Sequence, residues 1–116
     1  MPQLKPIHEI FNDGFLLYGH DTTKRENGKR VGEEFTQEGK LAFKLMSARD
    51  RDYQLAGALN ATLDLKVKTL FPPGFWTIKK TKLKCVIDGV KYDVINVDWD
   101  NDKRYLYFYL QEVGKA

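Results

Sequence analysis

Residues 82–113 read KLKCVIDGVKYDVINVDWDNDKRYLYFYLQEV, and they decide the fold class. Three apolar runs, Lys82–Ile87, Val90–Trp99 and Lys103–Val113, are separated by Asp88-Gly89 and by Asp100-Asn101-Asp102. Asp-Gly between apolar runs is a strong hairpin signal, because a type I′ turn requires positive φ and these two residues accept it. Strand side chains alternate with period two, which puts Leu106, Phe108 and Leu110 on one face and Tyr105, Tyr107 and Tyr109 on the other. The first face is core. The tyrosine face, flat rings with polar tips, suits a second packed layer or a subunit interface.

The same grammar extends toward the N-terminus. Thr62–Thr69 alternates cleanly, with Leu63, Leu65 and Val67 expected inside and Asp64, Lys66 and Lys68 outside. After it, Leu70-Phe71-Pro72-Pro73-Gly74-Phe75-Trp76 cannot continue a central strand, since two prolines and a glycine interrupt the ladder. Three large apolar side chains therefore sit on a loop, either as a lid over a barrel end or as a docking patch. Leu41–Ala48 reads as a strand with Leu41, Phe43 and Leu45 on one face and Lys44 on the other. A turn is expected just before it at Gln37-Glu38-Gly39-Lys40.

Further upstream, Phe15 and Leu17 open a strand that runs out to solvent through Gly19–Thr23. Val31–Thr36 returns beside it after a turn at Asn27-Gly28. The tip of this N-terminal hairpin is basic, with Lys24, Arg25, Lys29 and Arg30. Residues 1–13, with Pro2 and Pro6, read as an arm or edge segment preceding the core. Between Leu41–Ala48 and Thr62–Thr69 the alternation breaks. Arg49-Asp50-Arg51-Asp52-Tyr53 is charged with alternating sign, and Gln54–Ala61 spaces Leu55, Ala58 and Leu59 for a helix, predicting a loop or one to three helical turns. Six or seven short strands with frequent turn signals and one irregular insertion describe a small all-β antiparallel barrel or sandwich.

The chain has 116 residues, 42% hydrophobic and 30% charged, which suits a single domain with one modest core. No apolar run approaches the ~18–20 residues that span a bilayer, and the first residues carry no signal-peptide core, so the expectation is a soluble intracellular product. The net charge of +3 is mild and dispersed. One cysteine, Cys85, leaves no intrachain disulfide and no cysteine-based metal site, and its place in an alternating strand reads as a small buried hydrophobe.

Candidate chemistry is sparse. His8 and His20 lack a third ligand at matching spacing for zinc. Ser47, the single serine, has no nucleophile-elbow context. Asp98, Asp100 and Asp102 imitate the start of a calcium loop, but its sixth position is Lys103 rather than Gly and its twelfth Tyr109 rather than Glu, so a hairpin turn explains them better. No metal or cofactor is expected. Two cationic clusters, the hairpin tip and Lys79-Lys80-Lys82-Lys84, could face nucleic acid phosphates, while lysine at a strand edge also suppresses edge pairing.

The order of Ala48-Arg49 with Arg51 and Tyr53, then Asn60-Ala61-Thr62-Leu63-Asp64-Leu65-Lys66-Val67-Lys68-Thr69, then Lys84-Cys85-Val86-Ile87-Asp88-Gly89-Val90-Lys91-Tyr92-Asp93-Val94, then Tyr107-Phe108-Tyr109-Leu110-Gln111-Glu112-Val113, resembles the small head-tail joining proteins of tailed phages and prophages of Gram-positive bacteria. The resemblance covers the chain from about Leu41 onward. It implies a non-enzymatic head-completion (stopper) or adaptor protein of the virion, made in the host cytoplasm and without a membrane role. Copies would form a ring between the portal or adaptor and the tail completion protein, closing the channel against packaged double-stranded DNA, and could be monomeric when isolated. It also implies a loop projecting into the channel. Arg49, Asp50, Arg51, Asp52 and Tyr53 are the candidates for that loop, with Leu70–Lys80 as the other choice. Phe71, Phe75 and Trp76 on one side and Tyr105, Tyr107 and Tyr109 on the other are candidate halves of a ring contact. Lys24, Arg25, Lys29 and Arg30 are candidates to face DNA. The alternative is a free-standing barrel similar in outline to an OB-fold, binding single-stranded nucleic acid through the tyrosine strand and the Lys79–Lys84 cluster.

Overall fold

The computed structural model describes residues 9–115. Pro2, Pro6 and His8, in the first part of the expected arm, lie outside the described residues. Six strands form a closed antiparallel barrel in the order β1-β2-β3-β6-β5-β4. They are β1 (Gly14–Glu26), β2 (Lys29–Met46), β3 (Leu65–Leu70), β4 (Lys84–Ile87), β5 (Val90–Trp99) and β6 (Tyr105–Lys115). One helix, α1 (Asp50–Ala58), joins β2 to β3, and a 3₁₀ turn (Phe75–Thr77) lies between β3 and β4. Each half of the chain is a three-strand unit of sequential antiparallel neighbours, joined by tight turns except where α1 links β2 to β3. Two non-local ladders, β3 with β6 and β1 with β4, close them into a barrel.

Both dipeptide turns form as two-residue loops. Asn27 and Gly28 have φ of 52° and 77°, and Asp88 and Gly89 have φ of 50° and 76°, the paired positive values a type I′ turn needs. The third turn is held by a side chain. Asp100 Oδ1 accepts the N–H groups of Arg104 (2.8 Å) and Tyr105 (3.0 Å), which is why an Asp-rich segment suffices there.

The interior of the barrel is lined by Leu16, Tyr18, Phe43, Val67, Leu83, Cys85, Ile87, Leu106, Phe108 and Leu110, all buried. The core face expected for β6 is therefore observed. Burial pushes the Cys85 thiol far up, so this cysteine behaves as a small apolar side chain. Leu45, expected to share the inward face of Leu41 and Phe43, is instead half exposed, because it lies where β2 leaves the barrel toward α1.

The turn expected at Gln37–Lys40 is absent, and β2 runs straight through it. The pairing passes from Tyr18↔Gly39 to Gly19↔Gln37, which leaves Glu38 as the extra residue of a β-bulge. Both glycines are required by close approach. A Cβ on Gly39 would stand 2.3 Å from the Tyr18 ring, and one on Gly19 would stand 1.9 Å from the Thr36 carbonyl oxygen. A polar, glycine-containing tetrapeptide thus serves a bend in place of a reversal. Gly19→Ala is expected to cost about 1–3 kcal/mol or more, read as a fall in the denaturant midpoint. An unchanged midpoint would mean that the bulge relaxes freely.

Beyond the bulge, among the described residues, β1 pairs with β2 alone, since its ladder with β4 covers Leu17–Gly19, and Asp21 reaches the barrel through its ion pair with Lys91. From His20↔Thr36 to Glu26↔Lys29 the two strands continue as a ribbon, roughly 20 Å at ~3.4 Å per residue. The molecule accordingly measures 57 × 30 × 24 Å.

Candidate functional site: a lysine–tyrosine groove

The outer face of β2, β3 and β6 carries an ordered array. Register places Lys44, Lys68 and Tyr107 in one cross-strand row, and Met46, Lys66 and Tyr109 in the next. Lysine ammonium groups therefore lie against tyrosine rings. Lys68 Nζ is 4.1 Å from the Tyr105 centroid and 5.7 Å from that of Tyr107, and Lys66 Nζ is 5.2 Å from the Tyr109 centroid. Such cation–π contacts fix the heads of side chains that would otherwise extend into water.

Helix α1 covers one end of this face. Asp52, its third residue, accepts the Arg49 N–H on Oδ2 at 2.9 Å, half of a capping box, and the same oxygen takes Lys66 Nζ at 3.0 Å. Both side chains are buried. Burial alone would raise the Asp52 carboxyl, but the hydrogen bonds from Arg49 and Lys66 outweigh it and hold the group below the usual carboxylate range. Ala56, one turn further, packs with Leu63 and Tyr109. The helix ends in a Schellman motif, with Ala61 N–H donating to the Ala56 carbonyl (2.8 Å) and Asn60 N–H to the Gly57 carbonyl (3.0 Å), while Asn60 takes a left-handed φ of 55°.

The other end of the face is crossed by residues 9–13. Glu9 bridges Lys68 (2.8 Å) and Lys44 (3.2 Å), the Phe11 ring lies 6.2 Å from that of Tyr105, and Asp13 Oδ2 accepts the Leu45 N–H at 2.8 Å. The hydrogen bond from Lys68 is the main reason that the Glu9 carboxyl titrates below its ordinary value. Burial depresses the Lys68 ammonium, yet its bond to Glu9 prevails and raises it.

Beside the helix N-terminus, on the side of the face that this strap of residues 9–13 leaves uncovered, lies an open groove of about 620 Å³. Arg49, Arg51 and Lys66 line it together with Tyr107, Tyr109 and Trp99, and Asp98 and Asp100 form the far wall. It offers two exposed arginines beside flat rings, with Lys66 held by Asp52 beneath them, a chemistry of binding. Among the described residues, no three His, Cys, Asp or Glu side chains gather as a metal site, and no helix is long and apolar enough to cross a membrane.

The sequence-predicted residues separate as follows. Arg49–Tyr53, expected as a projecting loop, form the first turn of α1 and its cap, with Asp52 buried and Tyr53 exposed. The spacing of Leu55, Ala58 and Leu59 does mark a helix, but Leu55 and the C-cap Leu59 are exposed, and the buried positions are Asp52 and Ala56. Phe75 and Tyr109, expected at an interface, are buried within the chain. Phe75 fills the barrel, its ring edge-on to Tyr18 (5.8 Å), Phe71 (5.8 Å) and Phe108 (6.2 Å). Trp76 is about half exposed and meets the Trp99 ring at 5.2 Å. The Leu70–Trp76 loop is thus a lid through Phe75 and a surface patch through Trp76.

Tyr105 and Tyr107 are half-buried beneath the strap and in the groove, where Arg49 and Arg51 join Tyr107. Lys24, Arg25, Lys29 and Arg30 are exposed at the ribbon tip. Of the second basic cluster, Lys80 donates to the Phe75 and Ile78 carbonyls and Lys84 pairs with Asp93, while Lys79 and Lys82 stand beside His20, Asp21 and Glu33. Lys44, Lys66, Lys68 and Glu9 had no signal as a group, because their adjacency depends on β2–β3–β6 register. Compared with known proteins, the sequence matches no family model and no curated relative.

Proposed function

We propose that the protein is a structural connector subunit of a tailed phage or prophage, joining the DNA-filled head to the tail as one copy in a ring. The observation that supports this reading is the pairing of a closed barrel with a long ribbon that adds nothing to the barrel's core. A two-stranded ribbon is at best marginally stable alone in water. Here most of its residues are exposed, Val31 among them, so its value lies in reach and charge. In a ring, Lys24, Arg25 and Lys29 of each tip, with Arg30 paired to Glu33 beside them, become a collar of positive charge suited to contact with the phosphates of packaged double-stranded DNA. The ribbon, rather than the packed segment Arg49–Tyr53, is the element that extends far enough to act in a channel. The Trp76 patch and the groove are the surfaces available to a neighbouring subunit, the portal or adaptor, and the tail completion protein. Heterologous contacts of this kind close by rotation and need not hold an isolated dimer together.

The single-strand-binding alternative has less support. An OB-fold is a five-stranded barrel, Tyr105 is covered by Phe11, Tyr109 is buried, and two lysines of the Lys79–Lys84 cluster, Lys80 and Lys84, are engaged with their own chain.

Electron microscopy of lysates from a parent phage or induced prophage lacking this gene tests the reading. Heads that leak DNA beside free, complete tails are expected, with joined particles restored by purified protein. Replacing Lys24, Arg25, Lys29 and Arg30 together by Glu should leave a folded protein that fails to restore them. Intact tailed particles in the deletion lysate would remove the role.

A further inference from the structure

We propose that the lysine–tyrosine face of β2, β3 and β6, together with the groove that adjoins it, is a docking site for an extended acidic and aromatic peptide of a partner protein, with residues 9–13 covering its first half as an internal stand-in. This rests on the reading of the face as partner-facing.

The strap itself shows what the face accepts. Its Glu9 carboxylate sits on the Lys44 and Lys68 ammonium groups, and its Phe11 ring lies over Tyr105. Its hold is local and mostly polar, because Ile10 between them remains 68% exposed. Little apolar area is lost when such a segment leaves, so a better ligand can displace it. The array continues past the strap. Beyond Lys68 the next row, Lys66 and Tyr109, is buried and Lys66 is held by Asp52, so the open half presents Arg49 and Arg51 at its rim beside Tyr107 and Trp99. A chain repeating the strap's pattern, a carboxylate and then an aromatic ring, meets cations and rings in both halves.

The far wall favours a peptide over a nucleic acid. Asp98 and Asp100 are fixed there, Asp98 Oδ1 by the Trp99 N–H (2.9 Å) and Asp100 Oδ1 by its turn. Spaced carboxylates can keep to the lysine and arginine side, whereas a backbone charged at every nucleotide brings phosphates toward both aspartates.

The test is fluorescence anisotropy with a labelled ten-residue peptide made of two copies of Glu-Ile-Phe-Asn-Asp. It is titrated against the full chain, against the double variant E9A/F11A, and against that variant carrying K44E and K68E. The strap variant should bind at least tenfold more tightly than the unaltered chain, and the added charge reversals should abolish binding. A circular dichroism melt of each variant confirms folding, and Glu9→Gln alone supplies a milder release with a smaller gain in the same direction. Equal binding by the unaltered chain and E9A/F11A overturns the proposal. So does tighter binding of a ten-nucleotide oligothymidylate than of the peptide. A chain that binds the peptide as described yet fails to restore joined particles upholds the groove while removing the connector role.

Discussion

Asp52→Ala is expected to lower the melting temperature by about 15 °C or more. The mutation strands Lys66, whose side chain is only 8% exposed and whose ammonium takes Asp52 Oδ2 as its ion-pair partner. Removing one member of a buried pair costs about 3–5 kcal/mol, and each kcal/mol shifts a domain of this size by about 4–8 °C. The loss is compounded at the helix, where the Arg49 N–H loses its acceptor. Replacing both residues, Asp52→Leu with Lys66→Met, should recover much of the loss, since apolar groups of similar volume substitute well for a buried pair. Calorimetry on the two variants checks both statements. A fall of only a few degrees for Asp52→Ala would show that Lys66 escapes to water and that the pair does not anchor α1.

The same pair sets an acid dependence. The Asp52 carboxyl titrates lower in the folded chain than in the unfolded one, so its contribution is full above the unfolded value, about pH 4. It is lost as pH falls through the folded value. The stability curve of Asp52→Ala should therefore be flatter than that of the unaltered protein below about pH 4.

Phe75→Ala should cost about 3–5 kcal/mol, as expected for emptying a fully buried aromatic site. Three rings pack edge-on against it and Lys80 lies over its face at 4.9 Å, so the surrounding shell is too rigid to collapse into the void. Its neighbour provides the control. Trp76→Ala, at a half-exposed position, should cost about 1 kcal/mol or less while weakening the Trp76–Trp99 surface patch. Urea denaturation of the two variants separates the lid from the patch. Comparable midpoints would mean that the barrel core does not depend on Phe75.

Much of the fold was legible in the sequence because its signals are local. Asn27-Gly28 and Asp88-Gly89 specify tight turns through the φ values they tolerate, and the alternation in Tyr105–Leu110 identifies the core face with no knowledge of its neighbour. The helical option for the insertion was open as well, although its stop, Asn60, carries a subtler signal than glycine. Where composition misled, a second segment was responsible. Gly39 looks like a turn residue, yet it is there because the Tyr18 ring lies against it. The spacing of Leu55, Ala58 and Leu59 signals a helix but not its buried face, since the surface that α1 meets selects Asp52 and Ala56.

The candidate site was legible only in pieces. Arg49, Arg51, Tyr107 and Tyr109 stood out as residues, but their meeting in one groove depends on which strand lies beside β6. Local chemistry determined strand, turn and core face. Tertiary structure decided which lysine is buried, which aromatic fills the barrel and which carboxylate caps the lysine pair. The reason is physical: burial and ion pairing are properties of neighbours in space, and Glu9 and Lys68 become neighbours only when β1, β2 and β3 pair side by side.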